Sequence, residues 1–468
     1  MSSRLWRLVF VFFILSLGAL SGALPGASAQ TTRPPAAQNP AGPPPSPQGP
    51  PAPPATPPAP QPSGEKQITG TIKESGFTQL AIALPPCKAD AGSSASAAEV
   101  MATVKADLAF SGYFKVVDPA LFQGMDLSDA KVDFTAWQAM AADYLLLTTL
   151  YSNSGQLTLE GRLYDVKRKE MVTGKRIKSQ VQDARILGHN LSSVILEYLF
   201  GAGSFPTSQI LFTSHLGNTE DIFLCDYDGR GLLRLTAMGI LNVTPDVNPK
   251  GDKIAFTSIL KDRQELFLLD RQGRRTKLYG QGEGLNSNPR FSHDGNTIAF
   301  CSSRSGNPDV WTIGVDGKNL TRLTFSWAID TAPTWSPNNQ QIAFTSDRSG
   351  SPQIYIMDRD GANARRISPE GSGRCDQPAW SPRGDKIAYP TSKDGRFNIA
   401  VYDLNTNQVT VLTENAGDNE APAWSPDGRF LAFASNRSGT YQIYIMRADG
   451  SGVTKITNQS DCYGPCWF

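Results

Sequence analysis

Histidine is almost missing from this chain. Its three copies, His189, His215 and His293, lie in widely separated stretches of 468 residues, so a shared zinc site is not expected. Also missing are a G-x-S-x-G elbow, a phosphate-cradling Walker loop and a dinucleotide fingerprint, so no motif for hydrolysis, nucleotide binding or hydride transfer is in view. Neither sign of charge prevails: 44 Lys and Arg stand against 43 Asp and Glu, a net +1, and no basic tract offers itself to nucleic acid. The six cysteines follow no zinc spacing. Cys225 and Cys301 sit inside strand-like apolar runs and read as small buried hydrophobes, and a local Cys462–Cys466 pair is not favoured.

The long apolar run near the start is Leu8 to Leu20. Arg4 and Arg7 precede it and Ala27-Ser28-Ala29 follows, the pattern of a cleaved signal peptide over 1–29, too short for a good membrane span. Export as a soluble protein is therefore expected, without direct membrane insertion. Fifteen of the 34 prolines then fall within residues 31–63. Such a stretch cannot bury apolar surface and favours extended polyproline II, so 30–65 reads as a disordered linker or a partner-binding segment. At ~3.1 Å per residue it spans up to about 100 Å.

Residues 66–203 change to a mixed α/β pattern. "TQLAIALPP" (Thr78 to Pro86) reads as a buried strand, Ser94 to Tyr113 as a helix, and "FKVVD" as a short strand. "YLLLTTLYS" and "QLTLEGRLYDV" form a strand pair, and a last helix ends at Gly201. From 204 to 468 the chain repeats itself. An anchor proline recurs at Pro245, Pro289, Pro333, Pro378, Pro422 and Pro465, each interval being about 44 residues. Every unit supplies four strand-like runs separated by turn signals such as Pro426-Asp427-Gly428 and Ala448-Asp449-Gly450. "DYDG" (Asp226 to Gly229) and "DRDG" (Asp358 to Gly361) read as such turns rather than calcium loops, because no downstream Glu follows. Four short antiparallel strands per unit describe a propeller blade of the WD40-like type. Trp335, Trp380, Trp424 and Trp467 are expected as wedges between blades. "GPCWF" at the end is a lone first strand, and the unit from Ser208 lacks one, so the two are expected to complete a single blade and close a ring of six.

The expected architecture is therefore a small N-terminal α/β domain followed by a six-bladed all-β propeller. In that layout the loops leading into each first strand reach the channel mouth. They carry Asn286, Asn288, Asp330, Thr331, Asp376, Gln377, Asp418, Asn419 and Glu420, whose carboxylates suggest an acidic binding mouth flanked by Arg304, Arg348 and Arg437.

The repeat "P-x-W-S-P-x-G…I-A-F-x-S-x-R-x-G…I-Y-I-M", together with "DLAFSGYFKVVDP" (Asp107 to Pro119), "ADYLLLTTL" (Ala142 to Leu150) and "LEGRLYDV" (Leu159 to Val166), resembles the TolB family of the Tol-Pal system, over about Lys66 to Phe468. The resemblance implies a periplasmic scaffold, not an enzyme. It would bind the peptidoglycan-associated lipoprotein Pal at the propeller mouth and TolA through a flexible N-terminal segment. Contact with the other inner-membrane Tol proteins would be indirect, and the role would be outer-membrane integrity and constriction at cell division. No cofactor is expected; family analogy alone admits calcium in the channel. The Pro-rich segment departs from the family pattern. It leaves two candidates for the TolA-contacting stretch, the new terminus near Gln30 and the favoured "KQITGTIKESG" (Lys66 to Gly76). An exported propeller hydrolase or lyase and a carbohydrate-binding propeller are the alternatives.

Overall fold

The computed structural model describes residues 78–468 apart from 91, 126–131, 181–182, 262, 281–283 and 393–394. The signal peptide, the Pro-rich segment and Lys66 to Gly76 lie outside the described residues. Among the described residues no helix is long and apolar enough to cross a membrane.

The α/β layer comprises β1 (Leu80–Ala83), β2 (Lys88–Ala89), α1 (Ser94–Phe110), β3 (Phe114–Val116), α2 (Phe134–Ala139), β4 (Tyr144–Asn153), β5 (Gln156–Asp165), β6 (Glu170–Gln180) and α3 (Ala184–Phe200). The sheet order is β3-β1-β4-β5-β6, with β2 beside β4. β1 runs parallel to β3 and β4, and β4, β5 and β6 form an antiparallel meander. Successive strand side chains point to opposite faces. Leu146 and Leu150 therefore meet α1 and α3 through Val100, Val104, Leu187 and Leu191, while Leu145 and Leu147 meet Trp137 of α2 on the other face. Cover on both faces explains why the first four residues of β4, Tyr144 to Leu147, are a continuous apolar run. A Cβ on Gly188 would stand 2.7 Å from Thr103 Cβ, so glycine lets α3 cross α1 closely. α3 stops at Gly201, which takes a left-handed φ of 61°. β6 was not anticipated from sequence: it is a mostly exposed edge strand, "EMVTGKRIKSQ", with almost no apolar alternation.

The rest is a β-propeller. Three groups of four strands span Asn286–Arg322, Asp330–Arg366 and Asn419–Lys455; the group over Arg374–Val411 counts five because its inner strand is split. The remaining eight-stranded sheet consists of two sets of four strands joined at the single bridge Leu241–Glu220. One of these sets joins the two ends of the propeller: Cys462–Trp467 pairs antiparallel with Gln209–Leu216, Trp467 standing opposite Ile210. Inner strands touch in a circuit from Leu241–Val247 through Asn286–Phe291, Asp330–Trp335, Ala379–Trp380 and Asn419–Trp424 to Cys462–Trp467, which returns to Leu241–Val247. The four tryptophans are buried wedges. Trp335 Nε1 donates to the Arg290 carbonyl of the preceding inner strand at 3.2 Å, and Trp424 Nε1 to that of Ala379 at 3.0 Å. All six cysteines are free, and all but Cys87 are buried.

The α/β layer packs on the end of the propeller that carries the turns between first and second and between third and fourth strands. Phe110 stacks on Phe430 at 4.8 Å, the Arg429 guanidinium lies 3.8 Å from the Tyr113 ring centre, and Arg447 Nη2 donates to the Ala109 carbonyl. A polar cluster fastens the same contact. His189 of α3 holds the fully buried Asp107 of α1 through Nδ1 at 3.0 Å, and the Tyr227 hydroxyl donates to Asp107 at 2.5 Å. Arg185 pairs with Asp226 and Asp228, and His189 Nε2 lies 3.6 Å from Asp228. The "DYDG" stretch is thus a turn, as expected, and its carboxylates are the propeller's half of an interdomain ion cluster.

Candidate functional site

Each inner strand begins with the same three-residue device, and it decides which of the expected mouth residues can meet a ligand. The first position holds Asn242, Asn286, Asp330, Cys375, Asn419 or Cys462, all buried. The third holds Thr244, Asn288, Ala332, Gln377, Ala421 or Gly464, each left-handed, with φ between 44° and 55°. In five of the six strands the ladder slips one register at this point. The cause is the anchor proline that follows: with no N–H to give, it cannot continue the ladder, and the strand bulges ahead of it. Five non-glycine residues held left-handed in this way represent local strain around the channel.

The expectation that all nine mouth residues are open is corrected at three positions, one of them a carboxylate. Asp330 is 0% exposed and locked by Arg348, whose Nη2 reaches both its oxygens at 3.1 and 3.0 Å, and it also accepts from the Ser326 hydroxyl. Asn286 is buried between the Gln264 carbonyl and the Ser302 hydroxyl. Asn419 is buried, accepting from Arg437 and donating to the Phe397 and Gly417 carbonyls. These side chains face sideways into the blade because an inner-strand start must satisfy the polar ends of its neighbours. Asp418 is a half-buried staple, accepting from the Phe397 amide and from Asn436 Nδ2. The repeated arginines fold inward as well. Arg304 bonds the Tyr279 hydroxyl, Arg348 lies over Phe344 and Tyr355, and Arg437 lies over Phe433 and Tyr444, where burial holds its guanidinium below the ordinary value.

Asn288, Thr331, Asp376, Gln377 and Glu420 keep surface to offer. Asp376 sits 3.6 Å from Arg374, and Glu420 accepts from the Tyr441 hydroxyl at 2.9 Å. These five line one end of the ring, opposite the end covered by the α/β layer. Among the described residues no group of three or more His, Cys, Asp or Glu could hold a metal ion. The three histidines lie in a helix of the α/β layer, a propeller strand and a propeller turn.

Sequence reasoning missed two mouth residues. Phe325 and Trp327, in the loop before Asp330, are 73% and 78% exposed, more than any other large hydrophobic described. The signal was present as "TFSWAID", two aromatics in a loop where the neighbouring units place small and polar residues.

Known proteins share both parts of this arrangement. The family described as "TolB beta propeller domain" matches residues 197–414 and 372–467, and the "TolB amino-terminal domain" matches 69–172. This chain belongs to the TolB family. A TolB homolog of Chlorobium chlorochromatii is 34% identical over 183 residues, 38% of this chain and 42% of that protein. The Tol-Pal system protein TolB of Geobacter metallireducens is 35% identical over 159 residues, 34% of this chain and 37% of that protein. The chain thus spans about two-fifths of the length of the curated relatives it matches. The crystal structure of TolB from Acinetobacter baumannii superposes with a TM-score of 0.73 at 26% identity, covering 83% of this chain and 96% of that one. The TolB likeness therefore reaches across the α/β layer and the propeller together.

Proposed function

We propose that this TolB-family chain is a non-catalytic adaptor of the periplasm, built as a six-bladed ring whose mouth binds the peptidoglycan-associated lipoprotein Pal. The two sets of four strands in the eight-stranded sheet count as one blade each, and the circuit of inner strands supports the number six. The observation that carries the reading is the division of the propeller's two ends. The α/β layer occupies one, and the other is left open with Asn288, Thr331, Asp376, Gln377 and Glu420 partly exposed. A rigid ring with fixed polar side chains around an open mouth suits recognition of a folded partner. TolA is proposed to bind the segment Lys66 to Gly76, ahead of the described residues, and through it the chain would serve outer-membrane integrity and constriction at division.

A pull-down from envelope extract with the wild-type protein and with Asp376→Lys/Glu420→Lys tests the mouth. Two reversed charges at the centre of an interface are expected to reduce Pal recovery at least about tenfold. Equal recovery by both proteins would remove the mouth from the reading.

A further inference from the structure

We propose that Phe325 and Trp327 are the apolar anchor by which the mouth grips a protein partner, one whose contact surface presents an apolar socket beside hydrogen-bonding groups. The inference rests on the mouth-binding reading above and names the residues that would supply most of the affinity.

The loop that carries the two rings is held at both ends by buried carboxylates. Upstream, Arg322 pairs with the fully buried Asp309 at 2.8 Å and donates to the Thr324 carbonyl, while the Thr324 hydroxyl donates to Asp309. Downstream, Asp330 accepts from Ser326 and Arg348, and the Ile329 amide donates to Asp347. Asn307 ties the middle through the Ser326 and Ala328 carbonyls. Phe325 rests 4.8 Å from the Arg322 guanidinium. The backbone is therefore fixed while both rings face solvent. Binding would lose little further freedom, the condition under which an exposed aromatic becomes a hot spot. The loop runs from an outer strand into an inner strand, so it lies on the end of the propeller left open by the α/β layer. Together the rings offer on the order of 300 Å². A stable interface needs about 800 Å² per partner, so the occupant must also cover the polar mouth next to them. A partner seated over the ring axis does that; a second copy touching the rings alone does not.

The test titrates the soluble, lipid-free domain of Pal from the same organism against the full mature chain, as wild type, Phe325→Ala/Trp327→Ala and Trp327→Phe. Sedimentation of each variant is measured alongside. Both rings are exposed, so the melting temperature is expected to stay unchanged. Loss of two anchors is expected to weaken binding by about 100-fold or more, with the conservative variant within about tenfold of wild type. A double variant within about twofold of a wild type that binds would overturn the anchor and leave the mouth reading standing. A wild type that does not bind Pal would overturn the mouth reading and the occupant named here with it. A wild-type dimer that the double variant abolishes would assign the rings to a second copy and overturn the proposal.

Discussion

Replacing His189 by Gln probes the ion cluster between the α/β layer and the propeller. Three carboxylates, Asp107, Asp226 and Asp228, face the Arg185 guanidinium there, and His189, with Nδ1 3.0 Å from Asp107 and Nε2 2.8 Å from Arg185, adds positive charge to the cluster when its imidazole is protonated. Burial pulls the imidazolium's pKa down, but hydrogen bonds and charge from Asp107 and Asp228 outweigh it and hold the pKa at about 9. The unfolded chain has the ordinary value of ~6.5. Because the folded value is the higher, the stabilisation is complete below pH ~6.5 and drains away as the pH rises to about 9. The gap corresponds to about 3 kcal/mol. Gln keeps a donor for Asp107 and carries no charge, so the variant is expected to be less stable by about that amount at pH ~6 and to converge on wild type above pH ~9.5. Tyr227 does not confuse the window, since burial and the Asp107 charge push its hydroxyl far above the ordinary value. Urea unfolding of both proteins at about pH 6, 8 and 10 reads the difference directly. A gap that stays constant across the three pH values would refute a protonated His189 as the source.

Asp330→Ala is expected to cost about 3–5 kcal/mol in chemical denaturation, because it strands the inward-folded Arg348, and to act on stability before it acts on any partner. A loss below about 1 kcal/mol would mean that water replaces the carboxylate freely. Ala332→Gly is expected to raise stability by about 0.5–1 kcal/mol, since Ala332 holds a φ of 47° that glycine adopts without a Cβ clash. A lower melting temperature for Ala332→Gly than for wild type would show that the bulge ahead of Pro333 carries no strain.

Much of the fold is written locally in the sequence. The anchor prolines, the Asp-Gly turns and the alternating apolar runs each act within a few residues, so strands and repeat length follow from them. The pairing of "GPCWF" with the strand at Gln209 was legible for a different reason: a strand without a blade and a blade without a strand admit one economical pairing, and Trp467 stands opposite Ile210. One repeated clasp went unread although its residues recur. Thr236, Thr324, Ser368, Thr413 and Thr457 each accept from a third-strand amide, at Ile222, Val310, Ile354, Ile399 and Ile443. Each hydroxyl also bonds the side chain one residue earlier. Its meaning depends on a partner some fifteen residues away, across a hairpin, and a hydroxyl pattern alone does not announce that.

The sequence by itself determined the repeat, the turn chemistry and the lack of a catalytic motif, because each is a property of neighbouring residues. Only the tertiary structure decided which mouth residues keep exposed surface. Asp330 and Asp376 stand at almost the same point of adjacent repeats, yet one is sealed against Arg348 and the other partly exposed. A one-residue step along a strand turns a side chain from the blade interior toward the channel, and the bulge ahead of each proline sets where that step falls. The same holds for His189 and Asp107, 82 residues apart, whose contact exists only because α1 and α3 cross at Gly188.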